Sequence, residues 1–441
     1  MSDPAVPPGM TMAGLTARIA APPLHFPSPR GWGVAFAVSL LLLGLFAVSV
    51  AVLLLDGIGV WGENIPVNWA FDILAYVWWV GIAHAGTLIS ALLLLLGQAW
   101  RNSLNRFAEA MTVFAVLCAG LYPVLHLGRP WFAYWMIPLP STLGVYPQFR
   151  SPLGWDLWAV LTYLIVSILF FYVGLIPDLA TMRDKAGTRR ARTLYGLAAL
   201  GWRGSALHWL RWRRLYRLLA MIGVPLVVSV SSEVSLLLAA GQIPGWHSTI
   251  FPVYFVIGAI FSGFALVTMI AVVVRTMLTV EPLVTDAHLE HLARLLLATG
   301  LMTLYCYAAE VFDQLWSGDR FEVQTLGDRL SGPYAWSYWG ALLFNFVPLQ
   351  GLWWRRVRTS PVALFIIGLC AVVGMWMERF MLLITGLYRD FQPSSEGRFS
   401  PTIWDWGLFL GTIGVFLVPF LLFLRFVPSI SIAEEKEVLD G

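Results

Sequence analysis

Ten stretches of this chain are long and apolar enough to cross a bilayer, near 33–55, 69–97, 108–128, 153–177, 216–241, 249–279, 288–313, 335–354, 361–386 and 403–426. Crossing about 30 Å of hydrocarbon takes roughly 20 apolar residues in a helix. Inside that hydrocarbon each backbone N–H and C=O needs a partner within its own segment, which makes every such stretch helical. The sequence therefore reads as an all-α polytopic membrane protein of about ten transmembrane helices. Composition agrees, with 59% hydrophobic and 12% charged residues, where a soluble domain carries about 25% charged. Soluble globular, disordered and disulfide-stapled classes are excluded.

The loops give an orientation. Between 178 and 217 stand ten basic residues (Arg183, Lys185, Arg189, Arg190, Arg192, Arg203, Arg211, Arg213, Arg214 and Arg217) against Asp178 and Asp184. The loops with Arg101 and Arg106, and with Arg355, Arg356 and Arg358, fall on the same side by span count. Positive charge marks the cytoplasmic face, so a multi-pass protein with both termini cytoplasmic is expected. Anionic lipid and topology account for these arginines, and no nucleic-acid partner is expected. Residues 1–32 contain no hydrophobic core of a removable signal peptide and are expected along the cytoplasmic surface. Residues 33–426 form the transmembrane domain. Within it, 69–241 and 249–386 are expected to be two four-helix bundles in parallel repeat, with flanking helices. Residues 427–441, with Glu434, Glu435, Glu437 and Asp440, are expected to be a solvated acidic tail.

Cys118, Cys306 and Cys370 stand singly, and no CxxC, CxxCH, HExxH or GxxxxGK[ST] occurs. Bound haem c, an iron–sulfur cluster, a metal site and direct ATP use therefore have no support in this chain. Ionisable groups in spans are costly and are functional candidates by default. His126 and Arg129 end the third span, Arg150 and Asp156 open the fourth, and His247 opens the sixth. Glu310 and Asp313 end the seventh span and Asp405 opens the tenth. These groups are expected at one depth near the outer face. A His–carboxylate pair there suits proton removal from a hydroquinone, whose oxidation releases two protons and two electrons. The alternative is a structural cluster that binds a partner's polar surface. Deeper lie His84, Glu233 among Ser231, Ser232 and Ser235, and the neighbours Glu378 and Arg379. Each is either a proton-relay candidate or a packing group. Asp72 and Glu109, near span ends, are expected to be interfacial.

The segments GIAHAGTLISALLLL, LHLGRPWFAYW, FRSPLGWDLWAV and IPGWHSTIFPVYFVIGAIFSGFALV carry a resemblance. Over about residues 30–426 the chain resembles the NrfD/polysulfide-reductase membrane subunits, closest to the ActC branch of bacterial alternative complex III. The resemblance implies a ten-helix subunit of the bacterial cytoplasmic membrane with no redox metal of its own. It implies menaquinol as substrate and an iron–sulfur subunit docked on the outer face. Such assemblies also hold a multihaem cytochrome c subunit and a second NrfD-like membrane subunit, so clusters and haem c are expected only in partners. By motif, His126 and Asp156 resemble the quinol-site pair, with Arg129 and Arg150 shaping the pocket and His247 nearby. The family carries a His and an Asp in its fifth span where this chain has Ser231 and Leu237. Glu233 is the candidate replacement in a proton path with His84, Glu378 and Arg379. The readings left open are a quinol-oxidising subunit, possible in a photosynthetic or respiratory chain, the anchor of a polysulfide- or nitrite-reductase-type molybdenum or multihaem complex, and a purely structural anchor. A secondary transporter is only weakly allowed.

Overall fold

The structure is a computed structural model and describes residues 10–25, 31–64, 67–68, 70–136, 152–241, 243–389 and 391–440. Among these no strand occurs. The helices are α1 (Met12–His25), α2 (Trp32–Asp56), α3 (Phe71–Leu95), α4 (Asn105–His126), α5 (Pro152–Lys185), α6 (Arg189–Ala198) and α7 (Ala206–Ala239). They continue as α8 (Phe251–Met277), α9 (Asp286–Ser317), α10 (Arg320–Ser331), α11 (Ala335–Phe346), α12 (Pro361–Leu387), α13 (Ile403–Phe426) and α14 (Ile432–Asp440).

Among the described residues nine helices are long and apolar enough to cross a membrane, which makes this an all-helical polytopic membrane protein. The expected span at 335–354 differs. Its α-helix is 12 residues long, and Pro348 then opens a 3-10 segment, Pro348–Trp353. Proline has no N–H to continue the α ladder, and the tighter winding restores some of the lost rise. Neither piece alone is long enough to cross, so this stretch is a broken apolar segment beside the nine crossing helices.

Neighbouring helices pack in chain order. α3 lies against α4, α4 against α5 and α5 against α7; α8 lies against α9 and α12, and α11 against α12. α3 also packs on α8, which joins the two groups, and α2 pairs with α13. That last pair is antiparallel and close. A Cβ on Gly411 would stand 2.6 Å from the Phe46 Cα, and one on Gly414 would stand 2.3 Å from the Leu43 nitrogen. Without a hydrophobic drive between helices in lipid, small residues that let backbones approach supply the contact. The indole N–H of Trp32, at the start of α2, reaches the Leu421 carbonyl near the end of α13. Both helices therefore begin and finish, respectively, at one end of the molecule. The Tyr195 hydroxyl on α6 donates to the Phe426 carbonyl there (2.8 Å), so this is the end that carries the basic loop.

Three expectations are corrected at the basic end. The tail is only partly solvated: Ser431, Glu434 and Glu435 are buried and α14 packs on α1 and α5, while Glu437 is exposed. Arg101 and Arg106 are not loop charges in water, since both side chains are buried in ion pairs. Glu109 is not interfacial. It accepts from Arg106 (3.0 Å) and from the Tyr216 hydroxyl (2.7 Å), while Arg106 also holds Asp178 (3.2 Å). A buried guanidinium needs several acceptors to offset its lost hydration, and three carboxylates and the Gly174 carbonyl supply them.

Candidate functional site

Opposite the basic end, three helix termini meet. α4 starts at the basic end and brings His126 to the far one; α5 runs back and starts there with Asp156; α3 starts there with Asp72 and Tyr76. Asp72 and Tyr76 are one turn apart, so both face α4 and α5. The Asp72 carboxylate pairs with Nδ1 of His126. The Tyr76 hydroxyl donates to the Asp156 carboxylate at 3.0 Å. Both pairs line one small pocket together with Ile73, Tyr122 and Pro123. Asp72, at the end of its span, is thus paired with His126 in this pocket. Its exposure is 5%.

This pocket adjoins a cavity of about 340 Å³ that shares Ile73, Tyr76 and Asp156 with it. The rest of its wall is largely aliphatic, with Val77, Val234, Leu237, Leu238 and Leu387. Glu63, in the loop before α3, adds a third acid. Its carboxyl, Asp72 and His126 offer ligand atoms within 4.8 Å of one another, a set that suits a cation or a shared proton. Burial, helped by the Asp72 and Asp405 charges, pushes the Glu63 carboxyl up to about 9.

The other candidates from the sequence divide among separate places. Arg129 and His247 are exposed and stand off the lining of the two cavities, with the His247 ring bonded to the Gly241 carbonyl (3.1 Å). Its neighbour Trp246 lines the larger cavity. Arg150 lies outside the described residues. Glu310 is buried in an ion pair with Arg329 of α10 (2.8 Å), and Asp313 is exposed. Asp405 caps its own helix and accepts from the Gly62 N–H (2.9 Å). The acids expected at one depth therefore do not form one constellation. Glu310 ties α9 to α10, and Asp405 holds the Gly62 turn onto the start of α13.

Deeper in the first group of helices, Glu233 is half-buried with both carboxylate oxygens enclosed and without a hydrogen-bond partner. Its charge acts on Asp156 and Tyr76. Ser231, two residues before it, bonds Nδ1 of His84 at 3.0 Å. The His84 ring is fully buried, lies over Tyr163 at 5.2 Å, and leaves Nε2 without a partner. Arg379 pairs with the adjacent Glu378 at 3.3 Å and sits over the Phe255 ring at 4.1 Å.

With this geometry established, sequence comparison decides the kinship. The family described as "Polysulphide reductase, NrfD" matches residues 59–389, a range that contains both acid–base pairs and both cavities. The chain belongs to the NrfD family. Among curated relatives, a Halobacterium salinarum protein, provisionally named as the membrane-bound C component of a dimethyl sulfoxide reductase, is 24% identical over 424 residues, covering 90% of this chain and 91% of its own length. The C component of the selenate reductase of Mesobacillus selenatarsenatis is 23% identical over 396 residues, covering 84% and 88%. For this NrfD chain, the sequence motifs single out His126 and Asp156 but not their partners. The i, i+4 spacing of Asp72 and Tyr76 is the available signal, outweighed by their position at a span end.

Proposed function

We propose that this NrfD chain is the quinol-binding subunit of a membrane oxidoreductase complex. Menaquinol enters the aliphatic cavity and is oxidised beside His126 and Asp156, and a docked iron–sulfur subunit takes the electrons. One observation carries this reading: two separate acid–base pairs, His126–Asp72 and Asp156–Tyr76, face one pocket at the mouth of an aliphatic cavity. Oxidising a quinol removes two electrons and frees two hydroxyl protons, so two acceptors are needed. His126, oriented through Nδ1 by Asp72, accepts one proton at its other ring nitrogen. Asp156, steadied by the Tyr76 hydroxyl, accepts the second. The aliphatic wall excludes water and suits a ring and an isoprenoid tail.

Glu233, beside Asp156, and the Ser231–His84 pair are the next groups inward, and they make the candidate proton path. With the basic end in the cytoplasm, the pocket faces the outer side of a bacterial cytoplasmic membrane and both termini are cytoplasmic. The assembly we favour is of the alternative complex III type, with an outer iron–sulfur subunit, a multihaem cytochrome c subunit and a second NrfD-like subunit. The names of the two relatives favour a second reading, the anchor of a reductase complex. Both readings share the quinol step and differ in what receives the electrons.

The test is menaquinol oxidation by the purified complex. Asp156→Asn and His126→Ala are each expected to lower turnover by about 10²–10⁴-fold while the complex still assembles. Unchanged turnover in both variants would remove the site. Co-purified haem c would select the first assembly, and a reductase partner without haem c the second.

A further inference from the structure

The helix α14 lies at the basic end against α1, α5 and the 3-10 turn Ala99–Ser103, and its seat is polar. Asp178 accepts the Ala433 N–H (2.9 Å) and Ser431 Oγ accepts the Glu434 N–H (3.3 Å), so the helix start is capped. The Glu434 carboxylate meets the Arg101 guanidinium and the Asn105 amide, with Arg106 at 3.9 Å. The Ser103 hydroxyl donates to one oxygen of Glu435 (2.6 Å). The other oxygen of Glu435 is enclosed with no hydrogen-bond partner, and the residue is 0% exposed. An ionised carboxylate in that position carries an uncompensated desolvation cost.

Beside α14 is a cavity of about 550 Å³. Arg101, Tyr216 and Arg217 line it from the helices, while Glu434 and Glu437 of α14 line the other wall. Tyr216 is the residue that donates to Glu109, and Glu109 holds Arg106. The cavity thus ends at the edge of the buried arginine cluster, and α14 forms the wall between that cluster and the surface. Releasing α14 strips Arg101 and Arg106 of Glu434 and opens the wall.

We propose that α14 is a protonation-controlled latch: with Glu435 protonated it stays seated and closes the basic end over the Arg101–Arg106–Glu109 cluster, and it loosens as Glu435 ionises. This does not depend on the quinol reading. Burial, with the nearby Glu434 charge in the same direction and Ser103 and Arg101 opposing, pushes the seated Glu435 carboxyl up to about 7 from its ordinary 4.5. The seated state therefore binds more protons. Its stability is complete below about 4.5, falls as pH rises to 7, and is level above that. Glu434 moves the other way: burial pushes it up, but Arg101 and Arg106 outweigh burial and hold it below its ordinary value. Its contribution is lost only in acid below the window of Glu435. The other charged groups around the seat are Asp178 and Lys185 of α5, Lys436 of α14, and Glu437 of α14 in an exposed ion pair with Arg213 of α7 (2.6 Å). α1 carries Arg18 and His25, and Arg18 reaches the Thr279 carbonyl (3.4 Å).

Hydrogen exchange of amides 432–438 in the full-length protein in nanodiscs, corrected for the intrinsic pH dependence of exchange, tests the latch. The opening equilibrium is expected to rise between pH 5 and pH 7, by at most about tenfold per unit, and to level off above. Glu435→Gln should flatten that slope with α14 still protected. Glu434→Gln should raise opening at every pH and, by removing a charge that raises the Glu435 carboxyl, narrow the slope without abolishing it. A water-soluble thiol reagent should react with Asn102→Cys along the same pH curve once its rate is divided by the thiolate fraction at each pH. Wild-type opening that is equal at pH 5 and pH 8, a slope that survives Glu435→Gln, or pH-independent labelling would each overturn the latch.

Discussion

At the scale of residues, chemistry and structure use the same groups differently at the two ends. At the end opposite the basic loop the paired groups are incomplete as ion pairs, a histidine with one acid and an acid with a phenol, and they can exchange a proton. At the basic end Arg106 is surrounded by Glu109, Asp178 and Glu434, which leaves it with no chemical freedom and a strong structural role. In the proposed reaction Asp72 would act on a quinol only through His126, as a positioning residue. Asp72→Asn is expected to lower turnover by about 10–100-fold with quinol affinity little changed, because an amide fixes the His126 tautomer poorly. Steady-state kcat against KM checks it: a rise in KM with kcat unchanged would mean that Asp72 shapes the pocket instead. His126 and Asp156 were legible because a span-ending histidine and a span-opening aspartate sit in distinctive motifs. Tyr76 was not, since a buried tyrosine in an apolar run looks like any other core aromatic.

Among elements, the interruptions matter as much as the spans. α3 changes to a π turn at Leu88–Leu92, just after the His84 and Thr87 positions, and α11 gives way to a 3-10 segment at Pro348. Apolar runs predict a crossing and its length, but hydrogen-bond register inside a crossing depends on neighbours. The α2–α13 pair shows the converse, because its glycines were visible in the sequence while the partner they face was not. Gly411→Leu should force these backbones apart, since even a Cβ there would stand 2.6 Å from Phe46. A loss of at least about 1–3 kcal/mol is expected, read as a lower thermal midpoint in detergent with site chemistry intact in the folded fraction. A midpoint equal to wild type would mean that the two helices are held by something other than close contact.

For the whole molecule, orientation is the property on which the quinol reading depends most. Leu194 on basic α6 and Trp131 between α4 and α5 are both well exposed, at 67% and 57%, and belong to opposite ends. In sealed right-side-out vesicles an impermeant thiol reagent should label Trp131→Cys from outside and Leu194→Cys only after lysis. The reverse pattern would put the pocket in the cytoplasm and end the proposed outer docking of an iron–sulfur subunit. By itself, the sequence determined the class, nine of the ten apolar spans, the basic end, and the two residues His126 and Asp156 that the structure brings to one pocket. Those depend on local hydrophobicity, on charge counts and on motifs, all of which are read along the chain. Tertiary structure alone decided that Asp72 meets His126, that Glu310 is tied to Arg329, and that Glu434 and Glu435 of the acidic tail are buried in a helix. Whether a charge is solvated, paired or poised to react depends on what lies within a few ångströms of it, and those neighbours here come from 54 and 333 residues away along the chain.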